Sequence, residues 1–164
     1  EWRARLSEAH SSWTKHGNSR TPRFHRNLPA TDYPPYAGSV CPNEVSTVYY
    51  QKPTVENALA TTQICLRGGT REIIRFGIVV DPERPWYAGT GEPAPDQFDL
   101  RSTLAHEFGH VTGGWGWQAD HFSGPELCPH SAARQTMCAG VRGTTWRRSP
   151  DVHDLATFRD AYSG

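Results

Sequence analysis

The spacing of apolar residues changes several times along the chain, and each change marks an element. Over residues 2–16, Trp2, Leu6, Ala9 and Trp13 recur at helical spacing, which predicts an amphipathic helix stopped by Gly17-Asn18. Residues 22–26 suit a short strand, and residues 27–42, rich in Pro, Tyr and Gly, a loop. Residues 45–51 are β-prone. Two further β-rich runs, 61–67 and 71–81, are joined by Gly68-Gly69-Thr70 in the manner of a hairpin. The second run is nearly unbroken in apolar side chains (Ile73, Ile74, Phe76, Ile78, Val79, Val80), the pattern of a strand buried on both faces. Residues 82–95 read as loop. Asp99 is then placed to cap a helix over 100–112, the strongest helical segment in the chain. Residues 113–149 are mostly irregular, and 151–162 close as a helix with Val152, Leu155, Phe158 and Ala161 on one stripe. This order predicts an α+β fold in a single domain.

Composition refines that picture. With 36% apolar residues, 15 Gly and 13 Pro among 164, the chain predicts long irregular connections around a modest core. Lys+Arg and Asp+Glu are equal at 17 each, so no global charge argues for nucleic acid or a membrane surface. The basic lean of the first 30 residues (Arg3, Arg5, Lys15, Arg20, Arg23, Arg26) reads as solvated surface. No apolar run has the length of a membrane span. The chain opens at Glu1-Trp2-Arg3, which reads as a mature product whose targeting segment has been removed.

Cys41, Cys65, Cys128 and Cys138 form two separated pairs with no C-x-x-C unit, so a structural zinc site is not expected. Local pairing, Cys41–Cys65 and Cys128–Cys138, is the favoured one of three connectivities, with four buried thiols as the alternative. Two disulfides imply an oxidising compartment, and hence secretion.

The chemistry concentrates at His106-Glu107-Phe108-Gly109-His110. On a helix the two His lie one turn apart on one face, near enough to share a metal ion, and neutral imidazole is a good Zn²⁺ ligand. Glu107 lies about 100° round the helix, beside the metal and outside its coordination sphere. From there it can act as general base on a metal-activated water. An H-E-x-x-H run alone is only suggestive in a chain with 8 His. Its place after an apolar strand and a loop, on a capped helix, strengthens it.

Gly113 follows the second His by three residues, giving HEFGHVTG, which resembles the H-E-x-x-H-x-x-G-x-x-H pattern of the metzincin zinc peptidases. There the glycine ends the helix and turns the chain back toward the metal. Met137, the sole methionine, resembles the methionine of the turn beneath the zinc in that clan. The element order is similar to that of matrixin-like members, with one initial strand missing. The resemblance implies a mixed twisted sheet, an active-site helix, an irregular C-terminal part and a C-terminal helix. The implied upper part spans 1–113 and the lower part 114–164.

The family pattern puts a third His at position 116, which is Gly116 here. A five-residue insertion moves that ligand to His121, with Asp120 as the main competitor and Glu126 and His130 behind it. His10, His16 and His25 lack metal-pair spacing, and His153 suits capping or hydrogen bonding. The acidic stretch Asp81, Glu83, Glu92, Asp96 and Asp99 reads as solvated loop charge, although relatives hold calcium in such loops. Trp115 and Trp117 either pack under the inserted loop or line the substrate cleft.

The resemblance therefore implies a secreted, monomeric zinc endopeptidase acting on protein or peptide. The substrate would lie extended along the strand at 61–67, with residues 139–146 walling the pocket past the scissile bond. Two other readings stay open. One is a catalytically silent binding module that keeps the zinc fold; the other is a zinc amidohydrolase acting on cell-wall peptides.

Overall fold

A computed structural model describes residues 1–17, 46–69, 73–112, 136–138 and 147–162. These form a mixed α+β arrangement in two compact units. One unit is Arg23–Arg84; the other joins Glu1–Pro22 to Pro85–Gly164. The expected strand at 22–26 and loop at 27–42 lie outside the described residues.

The unit Arg23–Arg84 holds a three-stranded mixed sheet. Its strands are β1 (Thr47–Tyr50), β2 (Ala60–Leu66) and β3 (Ile73–Val80), in the order β1-β3-β2. β1 runs parallel to β3 and β2 antiparallel to it. β3 is central because its C-terminal half is apolar on both faces. Phe76, Gly77, Ile78, Val79 and Val80 are all buried. The expected two-faced burial does not extend to Ile74, which is 43% exposed. The reason is a register shift: Cys65 pairs with Arg75 but Leu66 pairs with Ile73, so Ile74 is the extra residue of a bulge. Gly69 adopts φ +74°, a conformation that a side chain would strain, and so suits the turn predicted there.

The other unit is built on two packed helices, α1 (Trp2–Thr14) and α2 (Leu100–Thr112). α1 buries Arg5, Ala9, Ser12 and Trp13. Ala9 and Trp13 were expected on this face, but Leu6 is only half-buried and two polar residues take part. Arg5 reaches the interior by pairing with Glu8, which also meets Arg101 of α2. The Ser12 hydroxyl donates to the Ala9 carbonyl. The basic lean of the N-terminal segment is thus not all solvated surface.

α2 occupies the predicted span and starts where its cap was placed. Asp99 Oδ1 accepts from the Ser102 backbone N–H at 2.8 Å and from its hydroxyl at 2.7 Å. Two short strands, β4 (Trp86–Tyr87) and β5 (Phe98–Asp99), pair in parallel within the stretch around the expected 82–95 loop. They deliver Asp99 to the helix start. Arg148 then forks onto the Asp99 carboxylate and onto the carbonyls of Thr90 and Gly91.

The last helix, α3 (Val152–Tyr162), is capped by Asp151, whose Oδ1 accepts from the N–H groups of His153 and Asp154. Among its described side chains Asp154 and Phe158 are buried; of the expected apolar stripe, Val152 is 73% exposed and Ala161 lies outside the described side chains. Phe158 packs on Trp13, ring centroids 5.8 Å apart. Among the described residues, no helix is long and apolar enough to cross a membrane.

The Asp99–Arg148 pair sets a stability test. Asp99 is 1% exposed, and removing it deletes a helix cap and leaves a shielded guanidinium without its carboxylate. Asp99→Ala is expected to cost about 3–5 kcal/mol, read from denaturant unfolding. A loss below 1 kcal/mol would show that the pair does not anchor α2.

Candidate metal centre

Helix α2 holds both motif histidines at its C-terminal end, where helical spacing stacks them. His106 and His110 are each 8% exposed and Glu107 is 5% exposed, so all three sit in a largely dehydrated place. The two Nε2 atoms approach to 3.2 Å, with ring planes 84° apart. At that distance either one ring donates an N–H to the lone pair of the other or a metal ion lies between the two lone pairs. For Zn–N bonds of 2.0–2.1 Å at a tetrahedral angle, the two nitrogens would be about 3.3–3.4 Å apart. The donor pair therefore fits a zinc ion.

The tautomer is fixed from outside the helix. His106 Nδ1 lies 2.7 Å from the Thr136 carbonyl oxygen, which can only accept, so Nδ1 carries the proton and Nε2 its lone pair. Thr136 begins the short stretch Thr136-Met137-Cys138, buried throughout. Met137 packs on the back of the motif, against Gly109. A Cβ built on Gly109 would overlap the Met137 sulfur and approach Trp13 Cζ2 to 2.8 Å. The indole N–H of Trp13 donates to the Ala105 carbonyl at 2.7 Å, the residue before His106. Glycine at the fourth motif position thus has a steric cause.

Asp154 of α3 holds the turn from below and is fully buried. Its Oδ2 accepts from the N–H groups of Thr136 at 2.7 Å and Asp151 at 2.9 Å, and its Oδ1 from Met137 at 3.1 Å. Burial holds the Asp154 carboxyl above its ordinary value, a rise that the three N–H donors reduce and the Asp151 charge adds to. Arg147 closes the other side. Its N–H donates to Ser102 Oγ and its guanidinium to the Cys138 carbonyl. Burial lowers the Arg147 pKa, and the Asp154 charge opposes that shift.

Comparison with protein-family profiles, with curated proteins and with solved structures finds no match for this chain.

Of the expected site residues, the structure brings together His106, His110 and, next to them in sequence, Glu107, with Met137 packed on Gly109. Gly113, His121, Asp120, Glu126 and His130 lie outside the described residues, as do Trp115 and Trp117. Among the described residues no group of three metal-binding side chains forms. Cys65 and Cys138 are not free thiols; Cys41 and Cys128 lie outside the described residues, and the expected pairing with them. Of the acidic stretch, Asp81 is engaged by Arg84 and Asp99 by Arg148. A groove of about 390 Å³ lined by Lys52, Val55, Asn57, Asp81 and Glu83 belongs to the unit Arg23–Arg84 and contains none of the residues expected at the zinc site.

Sequence reasoning missed Thr136, Asp154 and Arg147. Thr136 contributes main-chain atoms, which leave no side-chain signature. For Asp154 one signal existed: an acid four residues before Phe158, on the same helical face, three after the capping Asp151.

The packing around Gly109 yields a mutational test. Overpacking costs about 1–3 kcal/mol, and the better helix propensity of alanine returns up to about 1 kcal/mol. Gly109→Ala should therefore lower the unfolding midpoint in a thermal melt, against the usual sign for glycine-to-alanine in a helix. A raised midpoint would mean that Met137 and Trp13 do not press on this position.

Proposed function

We propose that the chain is a secreted zinc endopeptidase of metzincin type, matrixin-like in its element order, with Glu107 as general base. The observation that carries this reading is the convergence of His106 and His110 Nε2, with His106 oriented by the carbonyl of the Met137 turn. His106 and His110 supply two ligands, and His121 is the proposed third. Zinc bound there would polarise the scissile carbonyl and lower the pKa of water toward ~7.

The chain's own groups perform the rest. Glu107, one residue beyond the first ligand, takes the proton from the attacking water and delivers it to the leaving amine nitrogen. Its surroundings are dry enough to strengthen that exchange. The Thr136 carbonyl keeps the His106 ring from turning and holds its proton on Nδ1. β2 lies at an edge of the described sheet, antiparallel to its neighbour. A peptide added to that edge by main-chain hydrogen bonds is the substrate mode this reading favours.

Glu107→Ala tests the assignment. It should retain zinc in a chelator-competition titration and lose peptide hydrolysis by at least ~10²-fold. His110→Ala should lose zinc. Cleavage by Glu107→Ala at the wild-type rate would remove the proposed base. Wild-type protein that binds zinc but cleaves neither casein nor a peptide library would point to a binding module, and release of cell-wall peptides alone to an amidohydrolase.

A further inference from the structure

We infer that Asp154 is a positioning residue for His106, acting through the single peptide group that joins Thr136 to Met137. The inference rests on the zinc reading above and names a further residue of the same site. The N–H of that peptide is the Met137 N–H, which donates to Asp154 Oδ1 at 3.1 Å. The C=O of the same peptide is the Thr136 carbonyl, which accepts from His106 Nδ1 at 2.7 Å. Carboxylate, peptide and imidazole are therefore three polar groups in series, running from α3 through the turn to α2.

A peptide is conjugated from nitrogen to oxygen, so what happens at one end is felt at the other. A negative charge accepting the N–H favours the resonance form with charge on the oxygen. That makes the Thr136 oxygen a stronger acceptor for the imidazole N–H, as hydrogen bonds in a chain polarise one another. An imidazole whose Nδ1–H is more strongly held donates more electron density from Nε2. A carboxylate bonded directly to a ligand histidine has the same effect on metal affinity. Here the charge is set one peptide further away. The carboxylate cannot turn out of line, because Oδ2 is held by the N–H groups of Thr136 and Asp151 and the residue is 0% exposed. All three groups bonded to it are N–H donors, the arrangement that a carboxylate satisfies.

Asp154→Asn keeps the size, removes the charge and leaves a single oxygen to accept where the carboxylate has two. Its zinc dissociation constant, from chelator competition, should rise about 10–100-fold. Asp151→Ala is the control, since it loosens the start of α3 and leaves the charge of Asp154 in place; its zinc constant should stay within about threefold of wild type. Equal weakening in both variants, in step with their lowered melting temperatures, would reduce Asp154 to a structural support and overturn the proposal. The metal-free protein gives a second readout. The His106 Nδ1–H proton resonance should move upfield and exchange faster in Asp154→Asn, and stay in place in Asp151→Ala. If the wild type took no zinc, the peptidase reading would fall, and this resonance would still decide: a shift supports the series of bonds, and its absence refutes it. Should Asp154→Asn not fold, Asp154→Ser removes the charge while leaving the Thr136–Met137 peptide intact. It should produce the same resonance change, and an unmoved resonance would again refute the series.

Discussion

The hydrogen bond from His106 Nδ1 to the Thr136 carbonyl is the contact on which the arrangement turns. Without it the His106 ring is free to turn and to carry its proton on either nitrogen. With it, one ring is committed to a single tautomer and a single orientation, and its lone pair is aimed at the neighbouring histidine. That contact in turn needs the Thr136-Met137 turn to be rigid. Its rigidity comes from below through Asp154, from the side through Arg147, and from above through the packing of Met137 on Gly109. Each of these partners is buried, so each bond forms in a low-dielectric setting where an unmade one is costly.

What the sequence made legible follows from what local pattern encodes. Helix α2 was readable because its cap, its apolar content and its length agree, and agreement across levels is what specifies an element. The convergence of His106 and His110 was readable because it depends on spacing within one helix. The buried faces of α1 and α3 were only partly readable. Apolar periodicity cannot register Arg5, Ser12 or Asp154, each of which is buried with a polar partner beside it. β4 and β5 were missed for another reason. Two-residue strands have no period, and their pairing is decided by residues a dozen positions apart.

Chemistry and stability also divide unevenly over the residues. Glu107 and the two histidines can do nothing for packing that an apolar residue would not do better. The fold hosts them beside buried groups that each answer several partners. Asp99 answers both the helix start and Arg148; Asp154 answers three N–H groups; Trp13 fills space and meets a carbonyl at once. Polar burial of this kind is tolerable only when complete.

The long reach of the contacts at this centre bears on when it comes into being. Trp13 meets Ala105 across 92 positions of chain, Arg148 meets Thr90 across 58, and Asp154 meets Thr136 across 18. Such pairings close large loops before they return any stabilisation, so they form late in folding. During synthesis the histidines emerge well before the residues that orient them. A nascent chain lacking α3 carries the two histidines without their frame, so the pair is oriented only after α3 has been made. The order of the chain thus makes the orientation of the pair one of the last things that folding supplies.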